Sequence, residues 1–396
     1  MPAKLKNPWA VLALLFLVRI SVPIQFQALP ALAPFLVGEG ALSYANLGLL
    51  TGLYMLPGAA IALPGGLLAS AFGSRGVAVV GLVLMVGGMA LFAQTGSYPV
   101  MAVSRLISGT GAVLLTVQVP RIVTDHFHGG KIATAMAISA SSFGFGMGVA
   151  TGVLGALAEA YGLRAALLVT AALPALGLAA FLLLYEEKSG AAPAEGPTAR
   201  GVWHIGGREA VLACIAGLIQ VGFVTGFAVF MGFAPTLLME RGIPVVRAGL
   251  MVSLAGLMSL ATVPLGGFLT DLTGRKNLLI AGGAVGTALS CLMLPLWGPA
   301  LLWIALFGII RGGCTGGIQS LPGEVLRPHS RATGFGLYYT MHYLGQALLL
   351  PVAGLLLDRA GSASAAVWFS GFLWLAIPGF LGWFRYLQRR WVALPA

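Results

Sequence analysis

The chain consists of long apolar runs separated by short polar breaks. Twelve runs reach roughly 20 or more residues, which is enough to cross a hydrocarbon core of about 30 Å as a helix. Internal Gly and Pro residues are tolerated in such helices because neighbouring helices satisfy the freed backbone groups. The pattern predicts an all-α membrane protein with twelve transmembrane helices. The predicted spans are 9–34, 43–71, 76–95, 98–124, 132–159, 163–185, 209–238, 246–270, 277–297, 299–325, 332–357 and 363–388.

One polar break is long enough to be a linker. It runs from Glu186 to Gly207 and collects charges, prolines and glycines, a composition typical of a flexible connection. We therefore predict an N-terminal six-helix bundle (1–185), a cytoplasmic linker (186–207) and a C-terminal six-helix bundle (208–396). The other turns are too short to hold a soluble domain.

The two predicted bundles share proline and glycine positions at one constant offset of 201 residues. The repeated positions are Ala33-Pro34 and Ala234-Pro235, Gly48-Leu49 and Gly249-Leu250, Gly66 and Gly267, and Gly73 and Gly274. A constant offset indicates a duplication, and hence two pseudo-symmetric bundles. In a chain this apolar, the usual product of a duplication is a membrane transporter whose site lies between the halves.

The amino-acid composition indicates which environment surrounds the protein. Hydrophobic residues make up 58% of the 396 residues and charged residues only 8%, against about 25% charged in soluble domains. So few charges cannot cover the surface of a soluble protein, so the lipid bilayer must surround most of the chain. The 57 glycines suit membrane helices that pack through small residues.

The net charge of +11 is distributed by side of the membrane. With the N-terminus inside, fifteen Lys and Arg fall on cytoplasmic segments, against four outside: Arg164, Arg241, Arg247 and Arg359. This asymmetry predicts that both termini are cytoplasmic, and no nucleic-acid partner is expected. The basic, then apolar N-terminus is interpreted as an uncleaved first helix, because its apolar run is too long for a signal peptide.

Nothing in the sequence favours an enzyme or a bound metal. Cys214, Cys291 and Cys314 stand singly inside apolar spans, where free cysteines act as small core residues, and their spacing fits no disulfide or metal pattern. No nucleophile–base pair or phosphate-binding loop of adequate specificity is present. We expect no cofactor and no metal.

A loop motif occurs once in each half. The C-terminal copy is Gly267–Lys276 and the N-terminal copy is Gly66–Arg75. The C-terminal copy resembles the major facilitator superfamily signature glycine-x-leucine-alanine-aspartate-arginine-x-glycine-arginine-lysine, with Asp271 in place but Leu272 where the signature has arginine. The N-terminal copy is degraded and has Ser70 instead of the aspartate. Together with the spans, linker and repeat, the resemblance covers the whole chain.

In members of the family, the basic residues of this motif take part in gating contacts that hold the outward-facing state together and break in the inward-facing state. The resemblance implies that Arg275 pairs with Glu324, and that Arg75 pairs with Asp125 in the other half. Asp271 would cap a neighbouring helix. Because Ser70 replaces the aspartate, we expect the N-terminal contact to be the weaker one.

Two further stretches refine the resemblance. Arg105–Ala112 on span 4 is similar to the family's arginine-x-x-x-glycine-x-glycine pattern, whereas span 5 lacks the glycine-proline motif of drug exporters. Leu42–Gly73, with Pro57 and Pro64, resembles the cyanate- and nitrate-type anion permease branch. These resemblances imply a monomer in a bacterial inner membrane.

Basic groups lie inside the spans without acids beside them. Arg19, Arg105, Arg311 and His342 fall within spans, where a charge costs about 2.5–3.5 kcal/mol on insertion scales. All acids fall in loops or at span ends: Glu39, Asp125, Glu159, Glu186, Glu187, Glu195, Glu209, Glu240, Asp271, Glu324 and Asp358. We therefore predict that the substrate supplies the negative charge.

Depth along the helices places Arg19, Arg311 and His342 near the midplane and Arg105 nearer the outside. A guanidinium pairs well with a carboxylate or oxyanion. Tyr338, His342 and Gln346 step by four and share one helix face. The polar candidates around the arginines are Gln25, Tyr54, Gln118, Gln220, Tyr338 and Gln346.

Alternatives stay open for these residues and for function. Each arginine could instead bond backbone carbonyls in a structural role, Arg105 above all, and His342 could be a hydrogen-bonded packing residue. The leading function is secondary transport of a small anion, by proton symport through His342 or by anion exchange. The alternative is an exporter of neutral or amphipathic compounds. A receptor or scaffold is disfavoured because no soluble output domain is present.

Overall fold

The structure is a computed structural model that describes residues 5, 7–38, 42–61, 65–127, 131–186, 205–296, 298–327 and 330–392. These residues form fifteen α-helices, one 3-10 turn at Pro322–Glu324 and no β-strand, so the all-α prediction is confirmed. The helices are α1 Pro8–Arg19, α2 Ser21–Ala31, α3 Ala33–Gly38, α4 Tyr44–Ile61, α5 Gly65–Gln94, α6 Tyr98–His126, α7 Lys131–Tyr161, α8 Leu163–Leu184, α9 Gly207–Glu240, α10 Val245–Leu257, α11 Ser259–Thr273, α12 Lys276–Leu296, α13 Ala300–Ser320, α14 Arg331–Ala360 and α15 Ala363–Val392.

Eleven helical segments of the described chain are long and apolar enough to cross a membrane. The first segment, Pro8–Gly38, comprises α1, α2 and α3. Helices α10 and α11 together form the segment Val245–Thr273, which corresponds to the predicted eighth span. The predicted span 43–71 contains α4, an 18-residue helix, but then runs into residues 62–64, which lie outside the described chain. The twelfth span therefore stays a prediction. Most of the predicted linker, residues 187–204, also lies outside it.

The first span is broken where a candidate residue lies. Helix α1 ends at Arg19 and α2 begins at Ser21. Pro23 has no N–H, so the Arg19 carbonyl four residues earlier cannot receive its helical hydrogen bond. Discontinuous helices in membrane transporters lie at binding sites near the midplane. A second break, at Met258, separates α10 from α11.

Helices α1–α8 form an N-terminal half and α9–α15 a C-terminal half, which meet mainly where α4 packs on α14 and where α7 packs on α10 and α11. We call the end at which α1 begins and α15 ends the terminal side, and the opposite end the far side. A Cβ added to Gly48 would lie 2.5 Å from the Leu350 carbonyl oxygen, and one added to Gly249 would lie 2.5 Å from that of Thr151. Small residues thus permit close helix contact between the halves.

These two glycines are one of the repeated pairs in the sequence, and each packs on a helix of the other half. A second repeated pair, Gly73 and Gly274, has positive φ of 74° and 63°, a conformation that favours glycine. Both agree with a duplication, while the pseudo-symmetry of the halves stays a prediction.

Candidate functional site

Buried polar atoms without a hydrogen-bond partner among the described residues occur in both halves and are more numerous in the C-terminal half. Buried polar groups in proteins are nearly always hydrogen-bonded, so such a concentration indicates a place where water or a ligand binds. We call six of these side chains the central polar group: Gln220, Ser259, Arg311, Tyr338, His342 and Gln346.

Arg311 is the charged member of this group. Its side chain is 5% exposed, and Nε and Nη1 have no partner among the described residues. The guanidinium lies over two rings of α9, 3.7 Å from the centroid of Phe227 and 5.3 Å from that of Phe223. A desolvated cation–π contact contributes about 2 kcal/mol, which offsets part of the burial cost and leaves the donors unused.

The Arg311 guanidinium lies where the two halves meet. A Cβ added to Gly144 of α7 would lie 3.3 Å from Arg311 Nη2 and would also strike Ser259. Glycine at position 144 therefore leaves room at the interface for an arginine from α13 and a serine from α11. Since Ser259 Oγ has no partner either, a donor hydroxyl lies beside the same point of α7.

Arg19 is partly satisfied by the protein itself. Its Nη1 donates to the backbone oxygen of Ser139 (2.5 Å) and to Ser139 Oγ (2.9 Å). Tyr339 and Tyr343 on α14 of the other half lie in its neighbourhood. Arg19 therefore lies between the halves, with one of its nitrogens already bonded.

Arg19 and Arg311 contact different faces of α7. Ser139 and Gly144 are five residues apart, which is about 7.5 Å along the axis and roughly 140° around it. The two guanidiniums therefore reach α7 at separate points. The candidate site centres on Arg311 because its guanidinium is the less satisfied of the two.

Arg105 is bonded within the N-terminal half. It is fully buried, and it donates from Nε to the Leu50 carbonyl (3.2 Å) and from Nη1 to the Gln25 carbonyl (3.0 Å), while Nη2 has no partner among the described residues. It also lies 4.4 Å from the centroid of the Tyr54 ring. The two bonds join α2, α4 and α6, and the structural role of Arg105 stays a prediction.

Gln25 and Tyr54 belong to this same structural network. Gln25 Nε2 donates to the carbonyls of Met85 (3.1 Å) and Thr170 (3.0 Å), and the Tyr54 hydroxyl donates to the Val22 carbonyl (3.1 Å). These carbonyls of the N-terminal half take the Gln25 and Tyr54 donors, while Gln25 Oε1 is buried without a partner among the described residues. A role of either residue in substrate binding stays a prediction. Gln118 is buried with both amide atoms unpartnered, but it lies nearer the terminal side.

The predicted face of α14 carries unsatisfied groups at every step. The Tyr338 hydroxyl, His342 Nδ1 and both Gln346 amide atoms are buried without a partner among the described residues. Gln220 Oε1 on α9 is unpartnered as well. Tyr339, beside them, is 42% exposed although it approaches Arg19 of the other half, which places an accessible opening between the halves there.

The terminal-side ion pairs differ from the expected ones. Glu324 pairs with Lys276 (2.5 Å) and Arg385 (2.5 Å), not with Arg275. The reason is packing: Lys276 begins α12 and its stem lies against Gly317 of α13, so its ammonium extends along α13 to Glu324.

Two other predicted gating residues are described in part. Arg75 donates to the Leu182 carbonyl (3.3 Å), and its pairing with Asp125 stays a prediction. Asp271 is exposed and caps no helix in the described part of the chain. The surroundings of Ser70 lie outside the described side chains.

Sequence reasoning missed two polar contacts that join the halves. Gln27 Nε2 donates to Thr151 Oγ1 (3.0 Å) and to the Met231 carbonyl (2.9 Å) of α9. Asp358, at the end of α14, accepts the N–H groups of Tyr44 (3.1 Å) and Ala45 (2.7 Å) at the start of α4. A second glutamine two residues after Gln25 was a sequence signal for the Gln27 contact. The Asp358 contact depends on packing between distant helices.

Long apolar helices in two halves, with unsatisfied polar groups where they meet, define a multi-pass membrane protein with an internal polar site. The family model of the major facilitator superfamily matches residues 14–345 and again 216–394. The chain belongs to the major facilitator superfamily. Its members are transporters rather than enzymes, so the substrate is a small solute.

The chain is similar to characterised and uncharacterised transporters. It is 25% identical over 91% of its length, and 91% of the relative's, to a 2-nitroimidazole transporter of Escherichia coli strain K12. It is 28% identical to a lysosomal dipeptide transporter of Danio rerio over 40% of this chain and 35% of that protein. It is also 28% identical, over 37% of this chain and 34% of the relative, to an uncharacterised family transporter of Mycobacterium tuberculosis.

Proposed function

We propose that this protein is a secondary active transporter of a small anion, a carboxylate or an oxyanion. The observation that carries the proposal is Arg311, a buried guanidinium with two unpartnered nitrogens and no acidic residue within hydrogen-bonding reach in the described chain. A carboxylate would accept from Nε and Nη1 together, the paired geometry that a guanidinium favours. Ser259 supplies a further donor beside it, and the polar face of α14 carries more unpartnered groups.

The way the halves meet supports alternating access as the mechanism. Asp358 and Gln27 hold the far side together, whereas Tyr339 is accessible toward the terminal side. A bound anion would neutralise Arg311 and let the halves close around it, while an empty cationic site would resist closure. The carrier then moves the anion between the two sides.

Coupling would be by proton symport or by anion exchange. His342 is the titratable side chain beside Tyr338 and Gln346, and it is the group suited to carry a proton. In anion exchange the carrier returns with a second anion bound, because the empty cationic site disfavours the return of the unloaded protein. This cycle needs no proton carrier. We further propose that the ion pair of Glu324 with Lys276 has the gating role. We also propose that the protein is a monomer in a bacterial inner membrane, with both termini cytoplasmic, and that it belongs to the cyanate- and nitrate-type anion permease branch.

Export of neutral or amphipathic compounds is the second candidate. It is favoured by the similarity to a 2-nitroimidazole transporter over nine tenths of both chains and by the Phe223 and Phe227 rings in the site. The two functions differ in whether the ligand must carry a charge.

A matched pair of ligands tests this difference. Purified protein is heated with acetate or with acetamide, which have the same shape and differ in charge, and with nitrate and 2-nitroimidazole. The proposal expects stabilisation by acetate or nitrate but not by acetamide, and loss of that stabilisation in Arg311→Gln. Stabilisation by acetamide or 2-nitroimidazole alone, unchanged in Arg311→Gln, would support the neutral exporter. Uptake of the stabilising anion into proteoliposomes, with and without a pH gradient, separates symport from exchange.

A further inference from the structure

A groove on the terminal side runs between α12 and α15, away from the central polar group. Its volume is about 700 Å³, within the range of about 300–1,000 Å³ common for ligand sites. Its lining combines basic and apolar side chains: Asn277, Ala281, Pro378, Leu381, Gly382, Arg385, Tyr386, Arg389 and Arg390. Nothing in the transport site uses this groove.

Both walls change from polar to apolar in the same direction. On α15, Pro378, Gly382, Arg385 and Arg389 step by four, three and four residues, so they form one stripe along the helix. The stripe is apolar at depth and basic at the helix end. On α12, Asn277 and Ala281 show the same order over one turn. A ligand that fits both walls has an anionic end and an apolar body.

The charge at the open end of the groove is positive. Arg389 and Arg390 are exposed and form no ion pair among the described residues. Arg275 and Lys276 line an adjoining pocket with Arg385, and the acid lining that pocket is Glu324. Glu324 binds Lys276 and Arg385. Arg275, Arg389 and Arg390 therefore have no carboxylate partner among the described residues.

The apolar end has room for a chain of methylene groups. A Cβ added to Gly382 would meet no atom within 4 Å, so the groove is open along this part of α15. Gly382 is exposed on a helix long and apolar enough to span a membrane. The open side therefore faces the acyl chains of the bilayer, and the basic end lies near the headgroups.

We propose that this groove binds an anionic phospholipid. The phosphate lies beside Arg389 and Arg390, with the Tyr386 hydroxyl available as a donor. The first part of an acyl chain lies over Gly382 and Ala281. Basic pockets between transmembrane helices suit anionic headgroups, and the gradient on both walls distinguishes a lipid from a free phosphate.

Native mass spectrometry of the full-length protein, released from detergent, measures binding directly. The probes are dioleoylphosphatidylglycerol, dioleoylphosphatidylcholine and inorganic phosphate. Two variants change the groove: Arg389→Gln with Arg390→Gln removes charge, and Gly382→Leu fills the apolar part without changing charge. Arg208→Gln with Arg331→Gln is the matched control, because it removes the same charge from exposed positions elsewhere on the terminal side.

We expect phosphatidylglycerol to bind at least tenfold more tightly than phosphatidylcholine, and both groove variants to weaken it about tenfold. The control pair retains wild-type binding. Equal weakening by the control pair would show a general charge effect and overturn the proposal. Inorganic phosphate that binds as well as phosphatidylglycerol, with no effect of Gly382→Leu, would overturn the lipid assignment. Thermal unfolding of each variant without lipid shows that it is folded.

Discussion

The Arg311 guanidinium lies 3.7 Å from the centroid of the Phe227 ring, across the interface from Gly144 of the other half. One face of the cation is thereby held by an aromatic ring of α9. Cation–π attraction does not use the N–H groups of the guanidinium. Nε and Nη1 therefore remain available to a ligand.

This geometry predicts a graded effect of the two rings. We expect Phe227→Leu to raise the KM for acetate or nitrate, whichever stabilises the protein, about tenfold, since about 1–2 kcal/mol of cation–π attraction is lost. Phe223→Leu should have a smaller effect, because its centroid lies 5.3 Å away. Initial uptake rates in proteoliposomes give both values. Equal effects of the two substitutions would show that the rings act only by packing.

Arg105 should behave as a structural residue. Arg105→Ala removes two hydrogen bonds to carbonyls and leaves a cavity under Tyr54, so we expect a loss of about 3 kcal/mol in stability. The thermal unfolding temperature in detergent should fall clearly. Arg164→Ala, an exposed arginine of the same half, is the control and should unfold like wild type. An unchanged unfolding temperature for Arg105→Ala, with transport abolished, would instead place Arg105 in the transport site.

The sequence was sufficient to predict the all-helical class and eleven segments long and apolar enough to cross a membrane. Apolar run lengths gave eleven of the predicted helices, and the absence of mid-span acids marked Arg311 as unusual. The i, i+4 spacing placed Tyr338, His342 and Gln346 on one face, and all three carry unsatisfied atoms. These properties depend on local spacing and composition, which a single sequence displays.

The hydrogen-bond and ring partners of individual side chains could not be predicted from the sequence in the same way. Arg19, Arg105 and Arg311 look alike in sequence, yet Ser139, the Leu50 carbonyl and Phe227 give them three different environments. Such partners come from other helices, often from bonds to carbonyls that every residue carries. Which carbonyl is free depends on helix breaks and on the rotation of each helix, and neither is encoded in spacing alone.

The terminal-side ion pairs give a test within one dipeptide. Glu324 binds Lys276 and not Arg275, so Lys276→Gln should lower stability by about 0.5–1 kcal/mol, the scale of a partly exposed pair. Arg275→Gln is the matched control and should unfold like wild type. Unfolding temperatures in low and high salt measure both, and the effect of Lys276→Gln should shrink at high salt. A larger loss for Arg275→Gln would restore the pairing expected from the motif.

Asp358 should control the opening of the far side. Its carboxylate caps the start of α4 from the opposite half through the N–H groups of Tyr44 and Ala45. Replacing a capping side chain costs about 1 kcal/mol, and a charge at a helix N-terminus adds to its effect. Because this contact joins the two halves at the far side, we expect Asp358→Asn to shift the balance toward far-side opening about fivefold.

Spin labels at Ser97→Cys and Leu301→Cys, on the far side of the two halves, report this balance as a distance distribution. We expect the longer-distance population to grow in Asp358→Asn. Glu159→Gln is the matched control, since Glu159 is an exposed far-side acid that caps no helix of the other half in the described chain. It should leave the distribution unchanged. Equal shifts in both variants would mean that far-side charge, and not the cap on α4, sets the balance between the two states.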